Sequence, residues 1–234
     1  MPPNTTRPTR KAEPRKRSLD HPKATVRPNF AKVIASDGLG PRLRVAREQS
    51  AVTVRELARR IGVSGSLISQ VERGLAMPSV GTLLAIAGEL SLDIGDLFKH
   101  GKRTTQSRLG PVQRRSSRKA IRMASGVRWE RLTVDPDPEI EFLYAVYDVG
   151  SDSCGEDSML RHGGKEYAYL ISGRLGVKIG FEEYELGPGD AISFNAQMPH
   201  RLWCIGNQPA VGIWTIIRRH GDTRQPLAVT AESS

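Results

Sequence analysis

The chain has 234 residues, 38% of them hydrophobic, and a net charge of +10, enough for one large domain or two modest ones. It holds no run of 18 apolar residues, which excludes a membrane-spanning helix, and no apolar stretch follows Met-Pro-Pro-Asn-Thr-Thr-Arg at the N-terminus; the expectation is a cytoplasmic protein without a secretory signal. Cys154 and Cys204 form no CxxC pair and are expected to be free thiols.

The charge is uneven along the chain. Residues 1–36 carry net +7, 37–98 net 0, 99–123 net +9 and 124–234 net −6. Two basic segments around a neutral one point to a polyanionic partner, because each phosphate contact releases counterions. Charge alone does not choose between DNA, RNA and an acidic membrane.

Residues 1–36, rich in Pro, Arg, Lys and Thr, are expected to form a disordered basic tail, since they cannot bury enough surface to offset their ordering entropy. Residues 37–98 predict a helical domain. Leu39, Leu43 and Val45-Ala46 recur at helical spacing between Gly38 and Gln49. Thr53 with Glu56 is a capping-box pattern ahead of Val54, Leu57, Ala58 and Ile61, and Gly62 is a stop. Ser64 caps a third helix through Leu67, Ile68 and Val71, stopped by Gly74. Pro78-Ser79 opens a fourth helix reaching Leu90, and Asp93 caps a last turn to Phe98.

The second and third of these helices, joined at Gly62, predict a helix-turn-helix. Core positions then leave Ser66, Ser69 and Gln70 on the outer face of the third helix, where short polar side chains reach base edges in a major groove. The string Ile68-Ser69-Gln70-Val71-Glu72-Arg73-Gly74, continued by Pro78-Ser79 and Leu83, resembles the lambda-repressor/Cro-type helix-turn-helix over residues 39–98. The resemblance implies that the helix starting near Ser64 is the recognition helix. It implies base contacts from Ser66, Ser69 and Gln70, Ser64 at the helix start, and Thr53 and Val54 where the preceding helix meets the DNA backbone. Double-stranded DNA is the implied partner, as a palindromic operator bound by a homodimer. Arg73, with Arg42, Arg44 and Arg55, is a candidate for phosphate oxygens. Gly65 stands where relatives often carry a larger polar or basic residue, and Glu72 is expected to serve the fold.

Residues 99–123 predict a basic linker. From residue 124 the period shortens, with strand-like runs at 127–132, 141–149, 166–171, 175–181, 191–194, 201–205 and 211–218, which predicts a β-sandwich or barrel; residues 219–234 predict a frayed C-terminal tail. Alternation puts Glu166, Ala168 and Leu170 on one strand face and His200, Leu202 and Cys204 on another, and turns Arg201 outward. If both faces line one interior, His162, Glu166 and His200 converge. Two imidazoles and a carboxylate suit a divalent transition metal such as Zn, Fe, Ni or Mn; no cofactor is certain from this alone.

Residues 158–218 resemble a cupin through Gly187-Pro188-Gly189-Asp190 and Pro199-His200. The resemblance implies an all-β double-stranded β-helix barrel over 124–218. Glu166 is then the glutamate ligand, and His162 and His200 are histidine ligands. Leu160 replaces a further histidine, and Cys204 lines the pocket. The expected whole is an all-α DNA-binding domain followed by an all-β cupin barrel, a familiar bacterial pairing. It reads as a sequence-specific transcriptional regulator, repressor or activator, whose pocket at His162, Glu166, His200 and Cys204 binds a small effector that modulates operator binding. Catalysis is not expected, given Leu160 and the absence of a second acid–base pair. The alternatives are a constitutive or antitoxin-like DNA-binding protein with a dimerising barrel, and a metal-dependent cupin enzyme fused to a DNA-binding domain.

Overall fold

The computed structural model describes residues 38–92, 94–98, 110–137, 139–218 and 230–231. The expected basic tail at 1–36, residues 99–109 of the expected linker, the expected cap Asp93, and the C-terminal tail apart from residues 230 and 231 lie outside them.

Five helices follow in order: α1 (Leu39–Gln49), α2 (Val54–Arg60), α3 (Gly65–Glu72), α4 (Val80–Glu89) and α5 (Ile94–Leu97). Three of them start on a hydroxyl that accepts a backbone N–H: Thr53 from Glu56 (3.1 Å), Ser64 from Leu67 (3.2 Å) and Ser79 from Thr82 (3.1 Å). Each such cap contributes about 1 kcal/mol. The capping box at Thr53 closes only halfway, because the Glu56 carboxylate accepts from Arg59 and Arg60 instead of reaching back. Gly62, at φ +71°, takes the left-handed conformation that turns the chain from α2 into α3. Leu43, Leu57, Ile68, Leu83, Ile86 and Phe98 are fully buried in the core. Beside it Arg47 of α1 holds Glu72 of α3 through two buried hydrogen bonds of 2.6 and 3.0 Å and also donates to the Val52 carbonyl.

After a 3-10 turn at Arg115–Ser117 come the strands: β1 (Ala120–Arg122), β2 (Val127–Arg131), β3 (Ile140–Tyr147), β4 (Ser158–Met159), β5 (Lys165–Ser172), β6 (Arg174–Ile179), β7 (Glu182–Leu186), β8 (Ala191–Asn195), β9 (His200–Ile205), β10 (Ala210–Ile217) and β11 (Thr230–Ala231). They form a six-stranded sheet in the order β1-β2-β3-β10-β5-β8, a three-stranded sheet β7-β6-β9 and a pair β11-β4. Buried residues of both larger sheets, among them Ala168 and Trp214 from one and Val177 and Leu202 from the other, join one hydrophobic cluster.

The expected closed cupin barrel is therefore corrected: the strands make separate open sheets. A barrel needs hydrogen-bonded pairing all the way round. Here the large sheet ends on the three-residue β1, and the small one ends on β7, whose Glu182, Glu183, Tyr184 and Glu185 are all exposed. A short strand and an acidic, wetted one are edges that resist further pairing. Alternation of buried and exposed residues is the same in both architectures, so the sequence pattern did not separate them. Two further differences are local. The run at 175–181 stops at Ile179, because Gly180 (φ +60°) and the fully exposed Phe181 make the β6–β7 turn. The large sheet begins at Ala120, inside the segment expected to be linker.

The two domains touch directly. Gly81 N at the start of α4 donates to Ser153 O (2.9 Å), and Ala124 N donates to Pro78 O (3.0 Å). The buried Glu141 carboxylate accepts from Gly95 N (2.8 Å), while Arg131 donates to Gly95 O (3.4 Å). Among the described residues, no helix is long and apolar enough to cross a membrane.

Candidate nucleic-acid interface and metal centre

On α3 the apolar face sets which side chains stay outside. Ile68, Val71 and Glu72 are buried, Ser69 is partly buried, and Ser66 and Gln70 are exposed. Ser64 Oγ is engaged: it caps α3 and lies 2.9 Å from Ser66 Oγ. Thr53 is exposed with its hydroxyl spent on the α2 cap. Arg73 is exposed and donates to the Ser69 carbonyl (3.1 Å), and Arg55 is exposed. Arg44 pairs with Glu48 (2.8 Å), whereas Arg42 turns inward to the Leu97 carbonyl (2.7 Å). At Gly65 an added Cβ would meet only Val54 Cγ1, at 4.0 Å, so the small residue answers no packing demand.

In the sheet domain β5 presents Glu166 inward, β9 presents His200 inward, and His162 stands just ahead of β5. His162 Nε2 lies 2.6 Å and His200 Nε2 3.3 Å from the same atom, Glu166 Oε1. One donor atom from each of the three residues lies within 4.8 Å of the others. Each imidazole is anchored by its other nitrogen: His200 Nδ1 lies 2.9 Å from the Met198 carbonyl and His162 Nδ1 3.2 Å from the Gly163 carbonyl. A ring nitrogen facing a carbonyl carries the proton, which leaves the Nε2 lone pair aimed at the carboxylate. Lone pairs from three donors then point at one place, and a proton or a metal ion must reconcile them. His200 Nε2 is buried without a hydrogen-bond partner. Burial pushes the Glu166 carboxyl up, but in the metal-free site the positive charges of protonated His200 and His162 outweigh it and hold the group well below the usual carboxylate range. Burial pushes His200 down, and the Glu166 charge more than restores it, leaving its pKa raised. Two neutral imidazole nitrogens and an ionised carboxylate are a donor set that fits a divalent transition metal.

The other expected pocket residues lie elsewhere. Leu160 pairs with His200 through both backbone hydrogen bonds (2.7 and 2.9 Å), but its side chain is buried toward α4, 3.1 Å from where a Cβ on Gly81 would stand. Cys204 faces inward four residues along β9, where its thiol donates to the Gln208 carbonyl (3.2 Å), outside the three-residue cluster. Both cysteines are free, and burial pushes the Cys154 thiol up to about 11. No sequence motif marks Trp214, yet its indole Nε1 donates to Glu166 Oε2 at 2.5 Å.

Comparison with known proteins divides the chain the same way. Residues 39–93 match the family described as a helix-turn-helix domain and residues 145–216 the family described as a cupin domain. The chain is 24% identical to the HTH-type transcriptional regulator PuuR of Escherichia coli (strain K12), over 81% of this chain and 99% of that protein. Among solved structures, an HTH_3 family transcriptional regulator from Vibrio cholerae superposes with a TM-score of 0.58 at 19% identity, covering 81% of this chain and 99% of that one. Hydroxypropylphosphonic acid epoxidase from S. wedmorenis superposes at 21% identity over 78% of this chain and 98% of that one, with a TM-score of 0.39, too loose an overlay to bear on the chemistry. The chain thus joins an N-terminal helix-turn-helix domain to a C-terminal cupin domain. The expectation that it has no catalytic equipment is corrected by the His162–Glu166–His200 cluster, since a two-histidine, one-carboxylate set is also that of metal-dependent enzymes.

Proposed function

We propose that the chain binds double-stranded DNA through α3 and carries, in its cupin domain, a divalent transition metal held by His162, Glu166 and His200. Metal-dependent chemistry is then tethered to a DNA-reading head. The observation that carries the metal half is the aiming of three donor atoms, from buried Glu166 and His200 and half-buried His162, at one point. The DNA half is supported by the exposed Ser66 and Gln70 on a helix whose opposite side is core, and by the likeness to bacterial transcriptional regulators. In the lambda-repressor/Cro-type reading, α3 enters the major groove, Ser66, Ser69 and Gln70 meet bases, and Ser64, Thr53 and Arg73 sit at the phosphates.

A bound metal at this site supplies Lewis acidity and open positions for water or substrate. The protein's own part is to hold both imidazoles in the Nδ1–H form and to keep Glu166 ionised. A second reading, in which the same site senses an effector and modulates operator binding, is favoured by the direct contact of α4 with the Ser153–Leu160 segment beside His200. A homodimer, needed to span a palindrome, is supported by the exposed apolar outer face of the six-stranded sheet.

The test has two arms. Selection of duplexes from a random library should yield a defined sequence, and Gln70→Ala should weaken its binding by about 1–3 kcal/mol in fluorescence anisotropy. Equal binding of all duplexes by the wild-type chain would sink the DNA reading. Metal analysis of protein purified without chelator should find one divalent ion per chain, lost in His200→Ala. Iron-loaded protein that consumes oxygen with an added substrate favours the enzyme; a metal or small molecule that shifts DNA affinity without turnover favours the sensor.

A further inference from the structure

We infer that Trp214 is a positioning residue that makes Glu166 a one-oxygen ligand, an inference that rests on the metal reading above. Glu166 lies on β5 and Trp214 on β10, and the register pairs Glu166 with Ile216 and Ala168 with Trp214. The two side chains are therefore diagonal neighbours on one face, a separation an aromatic side chain spans. The indole Nε1 donates to Glu166 Oε2 at 2.5 Å, with both residues buried.

An ionised carboxylate offers two oxygens, and an indole is a donor only. Oε2 is thus committed to a group that cannot itself bind a cation, while Oε1 is left facing His162 Nε2 and His200 Nε2. The carboxylate is fixed against rotation, so it cannot close both oxygens around one ion. The protein then provides two nitrogens and one oxygen and leaves the remaining positions open. That set disfavours calcium, which takes six to eight oxygens and often a bidentate carboxylate, and favours zinc, cobalt, iron or nickel. Position 214 thereby sets the coordination number as well as packing the core.

The experiment titrates Co²⁺ into the full chain and into Trp214→Phe, reading affinity and the visible d–d spectrum. The wild type should show the intense bands of low-coordinate cobalt. The variant should bind about 10- to 100-fold more weakly, the usual consequence of losing a group that orients a metal ligand, with bands weakened as the freed carboxylate chelates. Trp203→Phe should match the wild type. A second readout needs no variant: of the three indole N–H resonances expected from the three tryptophans in ¹⁵N-labelled protein, Zn²⁺ should move one strongly. Wild-type protein that binds neither Co²⁺ nor Zn²⁺ overturns the metal reading and this inference together. Wild-type binding with an unchanged affinity and spectrum in Trp214→Phe overturns this inference alone. If that variant does not fold, Zn²⁺ binding that leaves every indole resonance in place overturns it.

Discussion

Arg47 and Glu72 are opposite charges withdrawn from water where α1 crosses the end of α3. Their two hydrogen bonds, with the third from Arg47 to Val52 O, satisfy most of what burial strips away. Such a pair adds little over a well-packed apolar one, but removing one partner strands the other charge in the core. Glu72→Ala should therefore cost about 3–5 kcal/mol, read as a lower urea midpoint, while the double variant Arg47→Met/Glu72→Leu should regain most of the loss. A single variant as stable as wild type would show that Arg47 finds water or another acceptor. Glu72 was readable as a fold residue from its place in the helix-turn-helix string. Arg47 was not, because its partner is 25 residues away on another helix and nothing local marks it as buried.

Elements were legible where local chemistry decides them. The hydroxyl caps at Thr53, Ser64 and Ser79 and the glycine at 62 gave the helices their ends. The strict alternation of β5 and β9 placed Glu166 and His200 inward. β7 escaped notice because Glu-Glu-Tyr-Glu-Leu has no apolar alternation: it is held by backbone pairing with β6, and only Leu186 is buried. The bond between Trp214 and Glu166 escaped for a different reason, since it depends on the register of β10 against β5. That same register exposes a consequence on the other face. Tyr144, Ile213 and Tyr169 stand side by side across β3, β10 and β5, as do Phe142, Thr215 and Tyr167. Tyr167, Tyr169 and Ile171 are strongly exposed. The apolar patch these residues make, bordered by Lys165 on one side and by Glu130, Arg118 and Arg128 beside Tyr144 on the other, suits a second copy related by a two-fold axis. Tyr169→Glu puts a charge in the middle of it and should convert a dimer to a monomer in sedimentation velocity, with the fold intact by circular dichroism. A wild-type chain that sediments as a monomer would refute this use of the face.

At the scale of the whole molecule the question is whether the helix-turn-helix domain and the candidate metal centre behave as one body. The segment with net +9 between them reads as a basic linker, but the hydrogen bonds described between the domains lie outside it, at Pro78, Gly81 and Gly95. Leu160 links them: its backbone is paired with His200, and its side chain fills the space over Gly81 of α4. Its side chain points at the helical domain and away from the His162–Glu166–His200 cluster. Glu141 and Arg131 grip Gly95 of α5 at a second point. These contacts offer a route by which a shift of His200 along β9 would reach α4, which packs against α2. The test is the space itself. A Cβ on Gly81 would already stand 3.1 Å from Leu160 and 3.4 Å from Cys154 Cβ, so Gly81→Leu leaves no room for the domains to dock as they do. Calorimetry of the wild type should give one cooperative transition, raised as a whole by Zn²⁺; the variant should give two, with only the sheet domain's raised. One Zn²⁺-sensitive transition in both proteins would mean that the domains are coupled elsewhere. Two transitions already in the wild type would mean that the contact is too weak to carry a signal from the metal to the helix that reads DNA.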